Sequence, residues 1–237
     1  RWRRRGVTHG ELRRQGGTSQ ALPVGWIPVL GPRPRPGSAA ICDSLFAIGI
    51  ESVAMPDELA WDTVDTEIAY SCPGFDIRRD RVRFPTGTEG HFDYLVDEPA
   101  VVLLPFTPDG DVVVIEEWRQ AVGRVNYGLP AGGQEAGDID IEATAYRELT
   151  EETGYVADRV DHLVTLEPAN GITDALHHYY VAVDCIQNGE QDLDHNETIR
   201  VDVTTLEKLR EQVHQGQVRD ARTALAVFYY DATGAGS

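Results

Sequence analysis

Glu148, Glu151 and Glu152 are the residues of this chain whose types and spacing could do chemistry, with Arg147 immediately before them. They stand at i, i+3 and i+4, so on an α-helix of 3.6 residues per turn the three carboxylates share one face, within an arc of roughly 100°. Like charges aimed the same way repel unless something positive sits between them. A hard, oxygen-loving cation such as Mg²⁺ suits that place, because it keeps waters and takes its remaining ligands from substrate phosphates. Arg147, four residues before Glu151, can pair with it. The competing reading is a solvated acidic face, which a chain this acidic also allows.

Such a face needs a helix that starts and stops on either side of it and a strand that delivers the chain to it. The stretch "LPAGGQEAGDIDIEATAYRELTEETGYV" (129–156) offers both: Asp138 or Asp140 can cap a helix running to Thr153, and Gly154 supplies a left-handed stop. Ahead of it, "AVVLLPF" (100–106) and "DVVVIEEW" (111–118) are β-branched runs joined by the turn "TPDG", and "VNYGLPA" is a third strand. "FDIRRDRVRF" (75–84) and "HFDYLVD" (91–97) alternate on either side of "PTGTEG" and predict a hairpin. Further strands are expected near 160–167, 177–185 and 199–203, with helices near 205–215 and 219–230. The sum is an α/β protein, an α/β/α sandwich around a mixed sheet, with a small N-terminal antiparallel β-sheet. Residues 55–98 form the small β subdomain in this division and 99–237 the main domain.

Composition bounds the partners. A chain of 237 residues, 41% apolar, can bury one large core. Its net charge of −18 argues against nucleic-acid phosphate or an anionic membrane, both of which repel such a surface. A phosphorylated small molecule is compatible if a metal or local arginines offset the field. Cys42, Cys72 and Cys185 form neither a CxxC pair nor an even disulfide framework, so a reducing cytoplasm is expected.

The charge is unevenly spread. Residues 1–54 carry eight Arg against three acids, whereas the chain from Met55 on carries 13 basic against 36 acidic residues, with Lys208 its one lysine. The first part is rich in Gly and Pro without sustained periodicity, so little packed structure is expected there, and it reads as an extension upstream of a native start at Met55. A targeting signal is the alternative, since Arg3, Arg4 and Arg5 precede an apolar patch, but Pro23, Gly25 and Pro28 break that patch. The carboxylate-rich, lysine-poor remainder suits a salt-adapted, halophilic source, where counterions screen the self-repulsion.

Other features have plainer readings. Alternation puts Arg79, Arg81 and Arg83 on one strand face, where neighbouring acids can pair with them. In "HHYYVAV" one of His177 and His178 faces inward as a structural histidine, and Tyr179, Tyr180, Phe228, Tyr229 and Tyr230 read as core or dimer contacts.

"RELTEETGY" (147–155) resembles the C-terminal half of the box of the Nudix hydrolases, G-x5-E-x7-R-E-U-x-E-E-x-G-U with U apolar. Upstream the match loosens: five residues separate Gly132 from Asp138, which stands in place of Glu, and eight residues separate Asp138 from Arg147 where the pattern has seven. "LPAG", "IEEWRQAV", Pro168 in "LEPANG" and "HNETIRVDVTT" resemble the ADP-ribose pyrophosphatase branch, so the resemblance covers about residues 75–230.

That resemblance implies hydrolysis of a nucleoside diphosphate sugar, ADP-ribose first, to AMP and ribose 5-phosphate. It assigns the metal, Mg²⁺ with Mn²⁺ able to substitute, to Glu148 and Glu152. Glu151 is a further ligand or metal-water contact, and the Ala131 carbonyl completes the set. Arg147 orients Glu151, and Arg119 holds phosphate or stacks on the base unless it is simply an exposed strand charge. The general base falls in "NGEQDLDHNETIRV" (188–201), where Glu197 is the first choice, Asp194 the second, and His195 a neutral alternative. A homodimer that exchanges its N-terminal sheet, so that residues 65–98 complete the partner's site, is implied as well. Rival functions are a Nudix enzyme for a GDP-sugar or a dinucleoside polyphosphate, and a non-catalytic nucleotide-sugar sensor.

Overall fold

The computed structural model describes residues 58–234, so the expectations for residues 1–54 and for a start at Met55 lie outside the described residues. Three antiparallel strands come first: β1 (Asp62–Cys72), β2 (Phe75–Arg83) and β3 (Glu89–Val96). The expected hairpin is β2–β3, with Gly87 at φ 81° in its turn, a dihedral that favours glycine. Arg79 pairs bidentately with Asp93 across it, and Arg81 and Arg83 both reach Glu89, so those arginines are consumed by neighbouring acids. β1 was not expected from the sequence. Val64, Ile68 and Tyr70 do alternate with Asp65, Glu67 and Ser71, but nearly the whole strand is exposed, which removes the contrast that marks a buried face.

The main body follows as β4 (Ala100–Pro105), β5 (Asp111–Arg119), a 3₁₀ turn at Gln120–Val122, β6 (Arg124–Gly128) and α1 (Ile141–Thr153). Then come β7 (Tyr155–Val156), β8 (Arg159–Leu166), β9 (His177–Val183), β10 (Ile186–Gln187), β11 (Ile199–Thr205), α2 (Leu206–His214) and α3 (Ala221–Thr233). The mixed sheet is built as two three-stranded sheets. One has the order β4-β9-β8, with β4 parallel and β8 antiparallel to β9; the other is the antiparallel β11-β5-β6. The chain crosses between them at Phe106, whose N–H binds Ala182 O and which bridges to Val112, so β4 and β5 are not a simple hairpin.

β4 explains why its sequence is an unbroken apolar run. Val101 and Leu103 pack with Ala145, Leu149, Tyr180 and Cys185 on the α1 side, whereas Val102 and Leu104 pack with Tyr179, Leu209, Val227 and Tyr230 on the α2/α3 side. A strand covered on both faces keeps no polar side. At about 25 cal/mol per Å², each such side chain contributes roughly 1.5–3 kcal/mol. Cys185 lies in that core, where burial pushes its thiol up to about 12, and among the described residues neither it nor the half-buried Cys72 is in a disulfide.

Candidate active site

Two elements bring the site together. After β6 the "LPAGG" segment runs beside β4, with Leu103 N–H on Pro130 O (3.0 Å), Val101 N–H on Gly132 O (2.9 Å) and Gln134 N–H on Pro99 O (2.8 Å). On the same flank α1 begins at Asp140, whose carboxylate accepts from Ala143 N–H, and ends at Gly154 at φ 72°. The cap is therefore Asp140, which leaves Asp138 for another task.

Segment and helix meet through the glutamates. Glu152 is almost fully buried, and its Oε2 accepts from Ala131 N–H at 2.9 Å. Glu148 lies over Gly132 so closely that a Cβ there would stand 2.2 Å from the Glu148 carboxyl carbon; any side chain at 132 would displace that carboxylate. Glu151 is more exposed. Arg147 ties the group together: its Nη1 donates to Glu148 (2.9 Å) and Glu151 (2.8 Å), and its Nη2 to Gly133 O (2.8 Å) and Asp138 (2.9 Å). The i, i+4 pairing expected of Arg147 and Glu151 is thus one spoke of a larger hub.

Asp138, where the sequence departs from the box pattern, is the far spoke. Its carboxylate accepts from Arg147 Nε and Nη2, from Glu135 N–H and from the Thr144 hydroxyl. The Arg147 guanidinium, above all, holds it well below the usual carboxylate range. A shorter acid one residue further from Arg147 still reaches it.

The electrostatics of the inner acids run the other way. Burial pushes Glu148 up to about 7 against the pull of Arg147, with Glu151 and Glu197 adding to the rise. Burial first, then the Glu148 charge, pushes Glu152 up to about 8. The charge of a bound cation would relieve crowded carboxylates that resist ionisation. Among the described residues no three acidic, His or Cys side chains close into a ready cage for an ion. The donors fit a hard cation that keeps waters and borrows phosphate oxygens more than one enclosed by protein.

The loop between β10 and β11 closes the site from above. Glu197 N–H donates to Asp194 O (3.0 Å), and Asp194 N–H donates back to Glu197 Oε2 (3.1 Å). Asp194 and Glu197 line a cleft of about 260 Å³ together with Glu135, Arg147, Glu148, Glu151, Asp192 and Leu193. His195 is exposed and is not part of that lining. Glu135 and Asp192 were not foreseen from the sequence; both sit in irregular loops, where no periodicity marks them.

Arg119 lies at the end of β5, bound through Nη2 to Glu117 Oε2 at 2.7 Å, so it is neither unpaired nor in the acidic cleft. Glu117 is buried, and burial raises its carboxyl against the opposing charges of Arg119 and Arg222. Spacing alone did not mark it: Val112–Ile115 is buried on both faces, so Glu116 continues the series Val112, Val114 as well as Glu117 continues Val113, Ile115. His177 and His178 are both half-buried; His178 bonds Thr165 through Nδ1, and among the described residues His177 Nδ1 has no partner.

Comparison with known proteins gives the same picture from outside. The model of the NUDIX domain family matches residues 97–225. An ADP-ribose pyrophosphatase of Bacillus subtilis (strain 168) is 30% identical over 168 residues, 70% of this chain and 90% of that protein. A methanol dehydrogenase activator of Bacillus methanolicus is 28% identical over 168 residues, 70% of this chain and 90% of that protein. An ADP-ribose pyrophosphatase of Mycobacterium tuberculosis (strain ATCC 25618 / H37Rv) is 29% identical over 137 residues, 58% of this chain and 66% of that one. A crystal structure of an ADP compounds hydrolase superposes with a TM-score of 0.65 over 74% of this chain and 95% of its own, at 20% identity, a likeness of fold.

Proposed function

From the premise that the chain belongs to the Nudix family, as a pyrophosphohydrolase, we propose that it cuts ADP-ribose to AMP and ribose 5-phosphate with Mg²⁺. The observation that carries the proposal is the face of α1: three glutamates under one arginine, two of them held against the Ala131–Gly132 backbone. Two relatives named for ADP-ribose support the choice of substrate.

Each residue has a task in this reading. A diphosphate entering so acidic a cleft is repelled unless its charge is offset, and a bound divalent cation supplies that neutralisation and steadies the departing phosphate. Glu148 and Glu152, with Glu151 and the Ala131 carbonyl, would hold it; Mn²⁺ serves in place of Mg²⁺. Arg147 keeps Glu148 and Glu151 from splaying apart. Arg119, steered by Glu117, faces the substrate beyond the reacting phosphates, where a planar guanidinium binds phosphate or stacks on a base. Glu197 takes the proton of the attacking water as the new P–O bond forms and the bridging oxygen leaves with the other phosphate.

With Mg²⁺ present, a panel of nucleotides is expected to rank ADP-ribose above GDP-mannose and dinucleoside polyphosphates in kcat/KM, read from phosphate-containing products. A reversed ranking would move the chain to another substrate while leaving the mechanism standing. No cleavage of any panel member with all three glutamates intact would favour a nucleotide-sugar sensor.

A homodimer through the N-terminal sheet belongs to the same proposal. Ile68, Tyr70 and Phe75 are exposed on that sheet and Trp61 just ahead of it, apolar side chains that a second copy would cover. Sedimentation at micromolar concentration should give twice the chain mass of 26.2 kDa, and a monomer would remove the dimer from the reading. A cytoplasmic, salt-adapted setting fits the charge; among the described residues no helix is long and apolar enough to cross a membrane.

A further inference from the structure

The last carbonyls of a helix have no partner within it. In α1 the loop of residues 188–198 takes them: Asp192 N–H donates to Glu151 O (3.0 Å), and the Gln191 side-chain Nε2 donates to Glu152 O (2.6 Å). Asn188 N–H donates to Gly154 O at 3.0 Å. The loop backbone also lies against the helix stop, where a Cβ on Gly154 would meet Gly189 O at 2.6 Å. Gln191 Nε2 stands 3.5 Å from Ile199 O as well, so one half-buried side chain spans from the end of the glutamate helix to the start of β11. Between those two anchors the loop carries Asp194 and Glu197 over the cleft.

We infer that Gln191 is a positioning residue: its amide latches the 188–198 loop to the C-terminal end of α1 and thereby sets where Glu197 stands over the glutamate face. The inference rests on the reading of Glu197 as general base. The physical reason is that the loop has no helix or strand of its own. Its backbone bonds to Glu151 and Gly154 survive any substitution and fix residues 188 and 192, and the bond from Trp118 N–H to Thr198 O (3.3 Å) holds the β11 end, so the stretch between is tied to the helix by Gln191. Gln191 is the side chain that joins both flanks, and a base displaced by about 1 Å can lose up to 10²-fold in rate. A side chain that acts this way changes the chemical step more than it changes binding.

The test uses the full chain with Mg²⁺ and ADP-ribose, comparing Gln191→Ala, Glu197→Gln and the double variant. Gln191→Ala is expected to lower kcat on the order of tenfold, with KM and the Mg²⁺ concentration for half-maximal rate within about twofold. In the Glu197→Gln background the same change should add nothing, because a latch has no effect once the group it positions is gone. Gln191→Glu keeps the size of the side chain and loses the donor, so it should behave like Gln191→Ala and guards against a loss caused by a cavity. Full kcat in Gln191→Ala beside a crippled Glu197→Gln would overturn the latch alone, and so would additive losses or a shifted Mg²⁺ requirement. Full kcat in Glu197→Gln would overturn the base reading itself.

Discussion

Glu152→Gln is expected to lower kcat by more than about tenfold, roughly 1.4 kcal/mol of barrier, with the protein still folded, and Glu148→Gln to do the same. The amide keeps the shape of the side chain and one oxygen for the Ala131 N–H, but it removes a charge that a divalent cation needs. Stability should move the other way. Burial and mutual repulsion push Glu148 up to about 7 and Glu152 up to about 8 in the metal-free fold, whereas a glutamate in an unfolded chain titrates near about 4.3. Between those values the folded state binds more protons than the unfolded one, so the metal-free protein loses stability as pH rises through that window and has lost this contribution in full above about 8. Mg²⁺, binding the ionised folded form, restores it by mass action. Removing one of the two carboxylates should therefore flatten the fall of the melting temperature between pH 5 and pH 8 in chelator, as kcat drops. Unchanged kcat in either variant, or full activity in chelator, would sink the metal assignment. A Glu152→Gln protein that melts well below its parent at pH 8 would make Glu152 a structural anion.

What could be read from the sequence follows from where periodicity is strong. The face of Glu148, Glu151 and Glu152 was legible because a helix fixes side-chain direction from spacing alone, and Asp140 and Gly154 bound that helix by local chemistry. β4 was legible as a strand because burial on both faces leaves only apolar residues. Its separation from β5 was not, since the turn "TPDG" permits a hairpin and the choice between sheets is made by Phe106 binding Ala182, far away in sequence. Asp138 shows the limit of a pattern. Its spacing to Arg147 and its short side chain put its role in doubt, and only the fold of the Glu135–Asp140 turn shows the carboxylate meeting the guanidinium. Glu135, Asp192 and Gln191 were beyond reach altogether, because an irregular loop gives no rule for which side chain points where. Glu117 was out of reach as well, because a run buried on both faces gives no reason to turn Glu117 inward rather than Glu116, and the acid gains meaning only when its partner Arg119 is seen beside it.

Glu197→Gln is expected to lower kcat on the order of 10²-fold, within the range that general acid–base catalysis supplies, while substrate and Mg²⁺ still bind. Three groups in the loop could take the proton, and their placement separates them. Glu197 lines the cleft together with Glu148 and stands two residues from the start of β11, so a strand steadies it. One of its carboxylate oxygens is held by Asp194 N–H, which leaves the other for a water. Asp194 lines the cleft too, but what it gives Glu197 comes from its backbone, and Asp194→Asn keeps that backbone; kcat should change by no more than about twofold. His195 is exposed and outside the lining, so His195→Ala should be silent. A loop can close over bound substrate, and closure could bring a different residue inward. The pH profile discriminates. With Glu197 as base, the acid limb of kcat in the parent enzyme should vanish in Glu197→Gln and persist in the other two variants. If His195→Ala is instead the crippling change and the acid limb goes with it, the loop has turned over in the working enzyme and the histidine is the base.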